Sequence, residues 1–161
     1  RKDKKKYTKK TNREEIIMTK KKVYQIKVEW GDCDPYGIVF YPNFYKWMDN
    51  SQWNFFNEIK MPISKLEKKY GIAGLPLLHT EATFLAACYR EDLLNIETTI
   101  IKITNSTFKL QHIIKRKNKI ICYGSETRIW AKKNKDNIIS ATIPEKVKIK
   151  FKKELSDEIK F

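Results

Sequence analysis

The segment Gly31-Asp32-Cys33-Asp34-Pro35-Tyr36-Gly37-Ile38-Val39-Phe40-Tyr41-Pro42-Asn43-Phe44 decides the fold, because it joins a strand pattern to a helix pattern. Before it, apolar and polar residues alternate over residues 23–30, which predicts a half-buried strand. Two glycines, a proline and two aspartates within residues 31–37 predict a turn. After it, apolar residues recur at three- and four-residue steps over residues 43–59 and predict a helix, with Pro42 suited to its first position.

The rest of the chain predicts mainly strands. Residues 64–70 predict a short second helix that Gly71 ends. Alternating or β-branched runs predict strands at residues 77–89, 93–103, 107–115, 120–131 and 147–151. One strand, one long helix and then about five consecutive strands predict an α+β fold, in which an antiparallel meander is covered on one face by the helix.

Composition predicts a tail followed by one folded domain. Of the net charge of +15, over half lies in residues 1–22, which hold eleven Lys or Arg and three acidic residues. We expect a basic disordered tail over residues 1–21, a folded domain over residues 22–152 and a C-terminal extension over residues 153–161. No apolar run approaches the roughly 18 residues of a membrane span. Three cysteines without CxxC spacing favour an intracellular location, either cytoplasmic or in an organelle after import.

The opening segment resembles the motif of the hotdog-fold 4-hydroxybenzoyl-CoA thioesterase family. The similarity continues through residues 71–76, 82–84 and 93–98, and covers residues 23–151. It implies a sheet of about five to six antiparallel strands wrapped around one long central helix. It also implies hydrolysis of an acyl-CoA or acyl-carrier-protein thioester to a free acid and a thiol. Such enzymes form homodimers or homotetramers and use no metal or cofactor, since CoA is part of the substrate.

The resemblance assigns roles to several residues. It makes Asp34 the catalytic carboxylate, as a general base or as a nucleophile. A backbone N–H near Tyr41, at the start of the helix, polarises the thioester carbonyl, and helix N-termini favour such negative charge. Asp32, the competing carboxylate, is expected to cap the turn. Asp49 is either a contact for a phenol hydroxyl or an exposed helix residue, and Phe44 is expected to bind substrate.

Two departures from the family pattern leave the acyl group and its carrier open. Leu75 occupies a position in the acyl pocket where a small polar side chain is expected. Thr104-Asn105-Ser106 replaces a basic triplet that relatives carry for the phosphates of CoA. We expect Lys102, Lys109 and Arg128 to substitute for that triplet.

Other function classes compete with hydrolysis. A non-catalytic basic module would bind nucleic acid or an acidic partner through the tail and a stripe of Lys146, Lys148 and Lys150. Nucleic acid is not expected, because the stripe lacks the interleaved aromatic residues that stack on bases. A hotdog dehydratase would need a histidine paired with a carboxylate in the motif. His79 and His112 lie outside it, and each is expected to be a strand residue with a local hydrogen bond, while Glu81 is a weaker candidate for a catalytic helper.

Overall fold

Helix α1, Pro42–Glu58, is the central element of the computed structural model, which describes residues 22–161. Pro42 occupies the first turn of α1, as predicted. The predicted tail, residues 1–21, lies outside the described residues. The short second helix is α2, Ile63–Tyr70, and it ends at Gly71 in a left-handed conformation that glycine adopts without strain. No helix within the described residues is long and apolar enough to span a membrane.

The strands form two antiparallel sheets. The larger sheet has the strand order β1-β4-β5-β6-β3, and the smaller has the order β2-β7-β8. Their bounds are β1 Lys22–Lys27, β2 Ile72–Gly74, β3 Leu77–Phe84, β4 Leu93–Ile103, β5 Thr107–Arg116, β6 Lys119–Ile129, β7 Ala131–Asn134 and β8 Asn137–Ser140. The predicted meander is therefore limited to β4, β5 and β6, because β3 pairs with β6 rather than with β4.

The buried face of α1 packs against the larger sheet in two apolar clusters. Phe44, Trp47 and Met48 belong to the cluster near the start of the helix. Phe55 and Phe56 belong to the cluster near its end, which also contains Trp130. Burying each large apolar side chain contributes about 1.5–3 kcal/mol, so α1 is held mainly by this face. The predicted periodicity of the helix is thus confirmed in its packing.

Three predicted strands differ in extent from those observed. The first ends at Lys27, and Trp30 lies in a 3-10 turn, Trp30–Asp32. The run at residues 77–89 stays in the sheet only to Phe84. The run at residues 120–131 is divided at Trp130, which lies between β6 and β7. The side chain of Trp130 is buried, and its backbone N–H donates to the carbonyl of Ser106.

The predicted last strand at residues 147–151 is wrong, because this segment forms helix α3, Glu145–Lys153. The alternation of apolar residues with lysine is equally compatible with the four-residue spacing of Val147 and Phe151, which are both buried in the core. Ile149 is half exposed. Glu145 in the first turn and lysines in the last turn also suit the helix dipole. The lysines therefore do not form a stripe along one face of a strand.

Residues 154–161 continue from α3 across the outer face of the larger sheet. The N–H of Ser156 donates to the carbonyl of Ile100 at 2.9 Å. The side chain of Gln111 exchanges two hydrogen bonds with the backbone of Ile159, at 2.8 and 2.9 Å. The ring of Phe161 stacks on Tyr123 with 4.3 Å between centroids. This segment consequently covers part of the face of the sheet that α1 does not.

Gly124, on β6 under α1, has no room for a side chain. A Cβ atom there would lie 2.5 Å from the carbonyl oxygen of Glu81 and 2.9 Å from Sδ of Met48. We expect Gly124→Ala to lower the free energy of unfolding by about 1–3 kcal/mol, because the backbone of β3 must move. Urea denaturation at fixed protein concentration measures this. Gly31→Ala is the matched control, since nothing lies within 4 Å of its added Cβ; equal effects of the two substitutions would contradict the explanation.

Candidate active site

Residues 33–39 form a tight hairpin between the 3-10 turn and α1. Cys33 and Val39 pair as an antiparallel bridge. The N–H of Asp34 donates to the carbonyl of Ile38 at 2.8 Å, and the N–H of Gly37 donates to the carbonyl of Asp34 at 2.9 Å. Gly37 has a φ of +78°, which a residue with a side chain rarely adopts. The motif thus places Asp34 at one end of a closed turn.

One of the two oxygens of the Asp34 carboxylate is held by a hydrogen bond. Its Oδ1 accepts the N–H of Tyr36 at 2.8 Å, an interaction typical of an aspartate before a turn. Within residues 22–161 its other oxygen accepts no hydrogen bond. The half-buried Asp34 lines a cavity of about 560 Å³. The other lining residues are Trp30, Gly31, Cys33, Pro35, Gly37 and Arg90. One carboxylate oxygen is therefore available for chemistry.

Asp32 has a different, structural position. Its Oδ2 accepts the N–H of Glu29 at 2.8 Å, which caps the 3-10 turn as expected. Its carbonyl accepts the N–H of Phe40 and the side-chain amide of Asn43, both at 2.9 Å. Asp32 therefore ties the turn before the hairpin to the first turn of α1.

The start of α1 has one unused backbone donor. The N–H of Asn43 donates to Phe40 at 3.0 Å, and the N–H of Phe44 donates to Tyr41 at 3.1 Å. Pro42 has no N–H. Within the part of the chain that the structure describes, the N–H of Tyr41 donates no hydrogen bond. Free N–H groups at a helix start stabilise negative charge, so Tyr41 is the donor best placed for an oxyanion.

A second cavity, of about 380 Å³, lies beside Tyr41 and is mainly apolar. Its lining residues are Ile38, Val39, Tyr41, Phe44 and Phe84 to Cys88. Asp34 and Tyr41 therefore line neighbouring cavities of this chain rather than a single one, and the paired residues Cys33 and Val39 lie between them in the hairpin. Phe44, predicted to bind substrate, is buried at the base of the second cavity with its ring 5.1 Å from that of Phe84.

Comparison with known proteins identifies the family. The model of the thioesterase-like superfamily matches residues 28–151. The chain is 29% identical over 126 residues to a 4-hydroxybenzoyl-CoA thioesterase of Pseudomonas sp. (strain CBS-3), covering 74% of this chain and 89% of the relative. The solved structure of 4-hydroxybenzoyl-CoA thioesterase from that strain superposes with a TM-score of 0.75 at 28% identity, covering 80% and 96% of the two chains. A gentisyl-coenzyme A thioesterase structure has a TM-score of 0.71 at 35% identity, covering 81% and 99%.

The chain belongs to the thioesterase-like superfamily. The resemblance drawn from the opening motif, the α+β hotdog fold and the enzyme class of thioester hydrolase are thereby confirmed.

Arg128 of this thioesterase is buried between the sheet and α1. Its Nη2 donates to Oδ1 of Asp49 at 2.6 Å and to Oε2 of Glu126 at 2.9 Å, and its Nη1 donates to the carbonyl of Leu75 at 3.2 Å. The side chain of Asp49 remains 45% exposed. Arg128 was predicted to bind CoA phosphates, but its guanidinium already has these acceptors inside the fold. It connects instead the two residues, Asp49 and Leu75, that were predicted for the acyl pocket.

The contacts of Arg128 continue through a set of side chains of which only His112 was singled out from the sequence, as a strand residue with a local hydrogen bond. Oε2 of Glu126 lies 3.5 Å from Nε2 of His112, and Nδ1 of His112 lies 2.9 Å from Oγ1 of Thr98. Thr98 in turn lies 2.6 Å from Oγ of Ser51. We call Asp49, Arg128, Glu126, His112, Thr98 and Ser51 the polar ring, because it leaves α1 at Asp49 and returns at Ser51. The sequence signal was the pair of opposite charges at positions 126 and 128 of a strand with buried neighbours.

The polar ring also bears on the dehydratase alternative. His112 and Glu126 are the histidine and carboxylate that such chemistry would require. However, His112 is fully buried and Glu126 is 2% exposed. They have no opening to substrate and belong to the interior of the fold.

The remaining predicted residues lie on the larger sheet. Lys102 is exposed on β4, and Nζ of Lys109 lies 3.4 Å from Glu81 and 3.6 Å from Glu158. Glu81 accepts the hydroxyl of Ser125 at 2.6 Å, and this hydrogen bond, together with Lys109, lowers the pKa of Glu81. Its partners on the outer face of the sheet account for this carboxylate without a catalytic role.

Glu126 makes the stability of the fold depend on pH. Burial would raise the pKa of Glu126, but the neighbouring His112 and the charge and hydrogen bonds of Arg128 outweigh burial and hold it below its ordinary value of 4.5. Ionised Glu126 therefore stabilises the fold fully above about pH 4.5, and this contribution is lost as the pH falls through the folded pKa. We expect Glu126→Gln to lower the free energy of unfolding by about 3 kcal/mol at pH 7, because Arg128 loses a buried partner.

Urea denaturation from pH 3 to pH 8 measures this difference, which should shrink below about pH 4.5. The matched control is Glu67→Gln on the exposed face of α2, expected to change stability by less than about 0.5 kcal/mol. A Glu126→Gln protein as stable as wild type at pH 7 would contradict the role of the polar ring.

Proposed function

We propose that this thioesterase hydrolyses an acyl-CoA thioester, with Asp34 as its catalytic carboxylate and the N–H of Tyr41 as the donor to the carbonyl oxygen. The observation that carries the proposal is that two unused groups flank one hairpin. Asp34 provides a carboxylate oxygen without a hydrogen bond, and Tyr41 provides a backbone N–H without an acceptor. The choice of CoA as carrier rests on the two relatives, whose names include CoA thioesters of 4-hydroxybenzoate and gentisate.

Both routes open to Asp34 use the same oxygen. As a nucleophile, it attacks the carbonyl carbon, the C–S bond breaks, and the thiolate leaves a mixed anhydride that water then hydrolyses. As a general base, it takes a proton from a water molecule that attacks the same carbon. In each route negative charge develops on the carbonyl oxygen, and the N–H of Tyr41 stabilises that charge.

The cavity beside Tyr41 favours an apolar acyl group. Apart from backbone groups and the Tyr41 ring, its lining consists of aliphatic, aromatic and cysteine side chains. The Cys88 thiol is buried, which raises its pKa to about 12, so it offers no thiolate to the substrate. An acyl chain or ring placed there would gain from burial without leaving a polar group unpaired.

Asp34→Asn tests the catalytic assignment. We expect kcat to fall at least about a hundredfold, because the amide neither attacks the thioester nor accepts a proton. KM should change little, since Asn preserves the shape and the hydrogen bond to Tyr36. The measurement is release of free thiol from a panel of aromatic and aliphatic acyl-CoAs.

The control for Asp34→Asn is Asp32→Asn, which makes the same chemical change two residues away. Asp32 caps the 3-10 turn, so its variant should keep kcat within about threefold of wild type, losing only part of one capping interaction. A larger loss of kcat in Asp32→Asn than in Asp34→Asn would make Asp32 the catalytic carboxylate and contradict the proposal. Wild-type inactivity on the whole panel would refute hydrolysis of CoA thioesters.

We also propose a homodimer that forms along β3. This strand is an edge of the larger sheet and pairs only with β6 in the described chain. Leu77, Leu78 and Phe84 are exposed along it. An exposed apolar edge strand is unfavourable in a monomer, because its free N–H and C=O groups pair readily with another strand. A second copy of β3 would satisfy these groups and extend the sheet.

Leu78→Lys tests the homodimer. Leu78 is 57% exposed, so lysine is tolerated in a monomer but places two charges together in a β3 interface. We expect light scattering after gel filtration to give twice the chain mass for wild type and a clear shift toward one chain mass for Leu78→Lys. Ile139→Lys, on β8 of the smaller sheet, is the matched control and should remain dimeric. A dimer unaffected by Leu78→Lys would exclude β3 as the interface.

A further inference from the structure

Arg90 lies on a turn that is fixed against the Asp34 hairpin. The turn connects β3 to β4: the N–H of Tyr89 donates to Oδ2 of Asp92 at 2.9 Å, and the N–H of Asp92 donates back to the carbonyl of Tyr89 at 3.1 Å. Tyr89 also pairs with Ile38 of the hairpin in an antiparallel bridge. The backbone of Arg90 is therefore held in a constant position relative to Asp34.

The guanidinium of Arg90 makes no hydrogen bond or ion pair within its own turn. Its acidic neighbours have other partners, because Glu91 pairs with Lys27 and Asp92 accepts Nη1 of Arg116 at 2.5 Å. Within residues 22–161 the guanidinium of Arg90 has no hydrogen-bonded or ion-paired acceptor. A preorganised turn thus presents one free guanidinium.

Arg90 lines the same cavity as Asp34. Trp30, which is 79% exposed, lines that cavity as well. A guanidinium binds phosphate with two parallel hydrogen bonds, and an exposed indole offers a face on which a purine base can stack. Phosphate and purine occur together at the nucleotide end of CoA.

Two of the three cations predicted for this purpose already have acidic partners. Arg128 is buried and bonded to two carboxylates, and Lys109 lies between Glu81 and Glu158. The segment Thr104-Asn105-Ser106 carries no charge. Binding of a phosphate by Arg128 or Lys109 would require breaking existing ion pairs, whereas Arg90 has none to break.

We propose that Arg90 binds a phosphate of the thioester carrier, with Trp30 as the platform for the nucleotide base. The proposal rests on the proposed function for its substrate, a CoA thioester, and adds the site that recognises the carrier. The site accepts a phosphate, and the two sources of that phosphate are the CoA nucleotide and the phosphodiester of a phosphopantetheine arm.

Direct binding tests the site without requiring catalysis. Isothermal titration of CoA into wild type, Arg90→Gln and Lys133→Gln is expected to give about tenfold weaker binding for Arg90→Gln, the scale of one lost charge-assisted contact. Lys133→Gln removes one exposed positive charge from β7 and should bind as wild type. Equal losses of CoA affinity in Arg90→Gln and Lys133→Gln would mean that the overall charge of the protein, and not a site at Arg90, attracts CoA. If Lys102→Gln loses CoA affinity and Arg90→Gln does not, the phosphate binds at β4 and the proposal is wrong.

Kinetics with one acyl group on three carriers identifies the phosphate. We expect Arg90→Gln to raise KM about tenfold for the CoA thioester, with kcat unchanged, and to leave the pantetheine thioester, which lacks phosphate, unaffected. A rise for the phosphopantetheine thioester as well would assign Arg90 to the phosphate of the arm, and no rise there would assign it to the nucleotide. An equal rise for the pantetheine thioester would overturn the proposal.

Arg90→Lys should recover part of the CoA affinity, because it retains the charge but not the paired hydrogen bonds. The two proposals fail separately in these experiments. Weaker CoA binding by Arg90→Gln in a protein that hydrolyses no thioester would refute the proposed function and support the site. Hydrolysis of CoA thioesters by wild type, together with unchanged CoA binding by Arg90→Gln, would support the proposed function and refute the site.

Discussion

The buried charge of Arg128 is the constraint on which the arrangement of helix and sheet depends. A guanidinium removed from water must keep its partners, and here they come from α1, β6 and the segment before β3. Ion pairs of this kind contribute little net stability compared with apolar packing, because desolvation offsets their attraction. Their consequence is geometric. The polar ring joins α1 to the sheet at two points, Asp49 with Arg128 and Ser51 with Thr98.

The position of α1 determines the position of the candidate site. The N–H of Tyr41 is at the first turn of this helix, and Asp32 connects that turn to the residues before the hairpin. Asp34 is therefore linked to the sheet through the helix rather than through a strand of its own. The second support comes from the β3–β4 turn, whose Tyr89 pairs with Ile38. A hairpin held from both sides can keep a carboxylate in place without burying it fully.

Pairing, rather than the number of charges, decides which cations are free to bind a ligand. The chain has 34 lysines and arginines, and their abundance says little about binding. Arg128 is neutralised by carboxylates inside the fold, Lys109 by two carboxylates on the outer face of the larger sheet, and Arg116 by Asp92. Arg90 has no ion pair because the adjacent Glu91 pairs with Lys27 and Asp92 pairs with Arg116. Its availability follows from the ion pairs around it and is invisible in a count of basic residues.

The sequence by itself determined the features that depend on neighbouring residues. The turn within residues 31–37, the periodicity of α1 and the end of α2 at Gly71 follow from local backbone preferences and side-chain spacing. The tertiary structure alone decided the rest, because long-range contacts choose between local alternatives. Residues 147–151 suit a strand or a helix until Val147 and Phe151 meet the core. Arg128 acquires its partner Asp49 from 79 positions away, and only folding brings Arg90 beside Asp34.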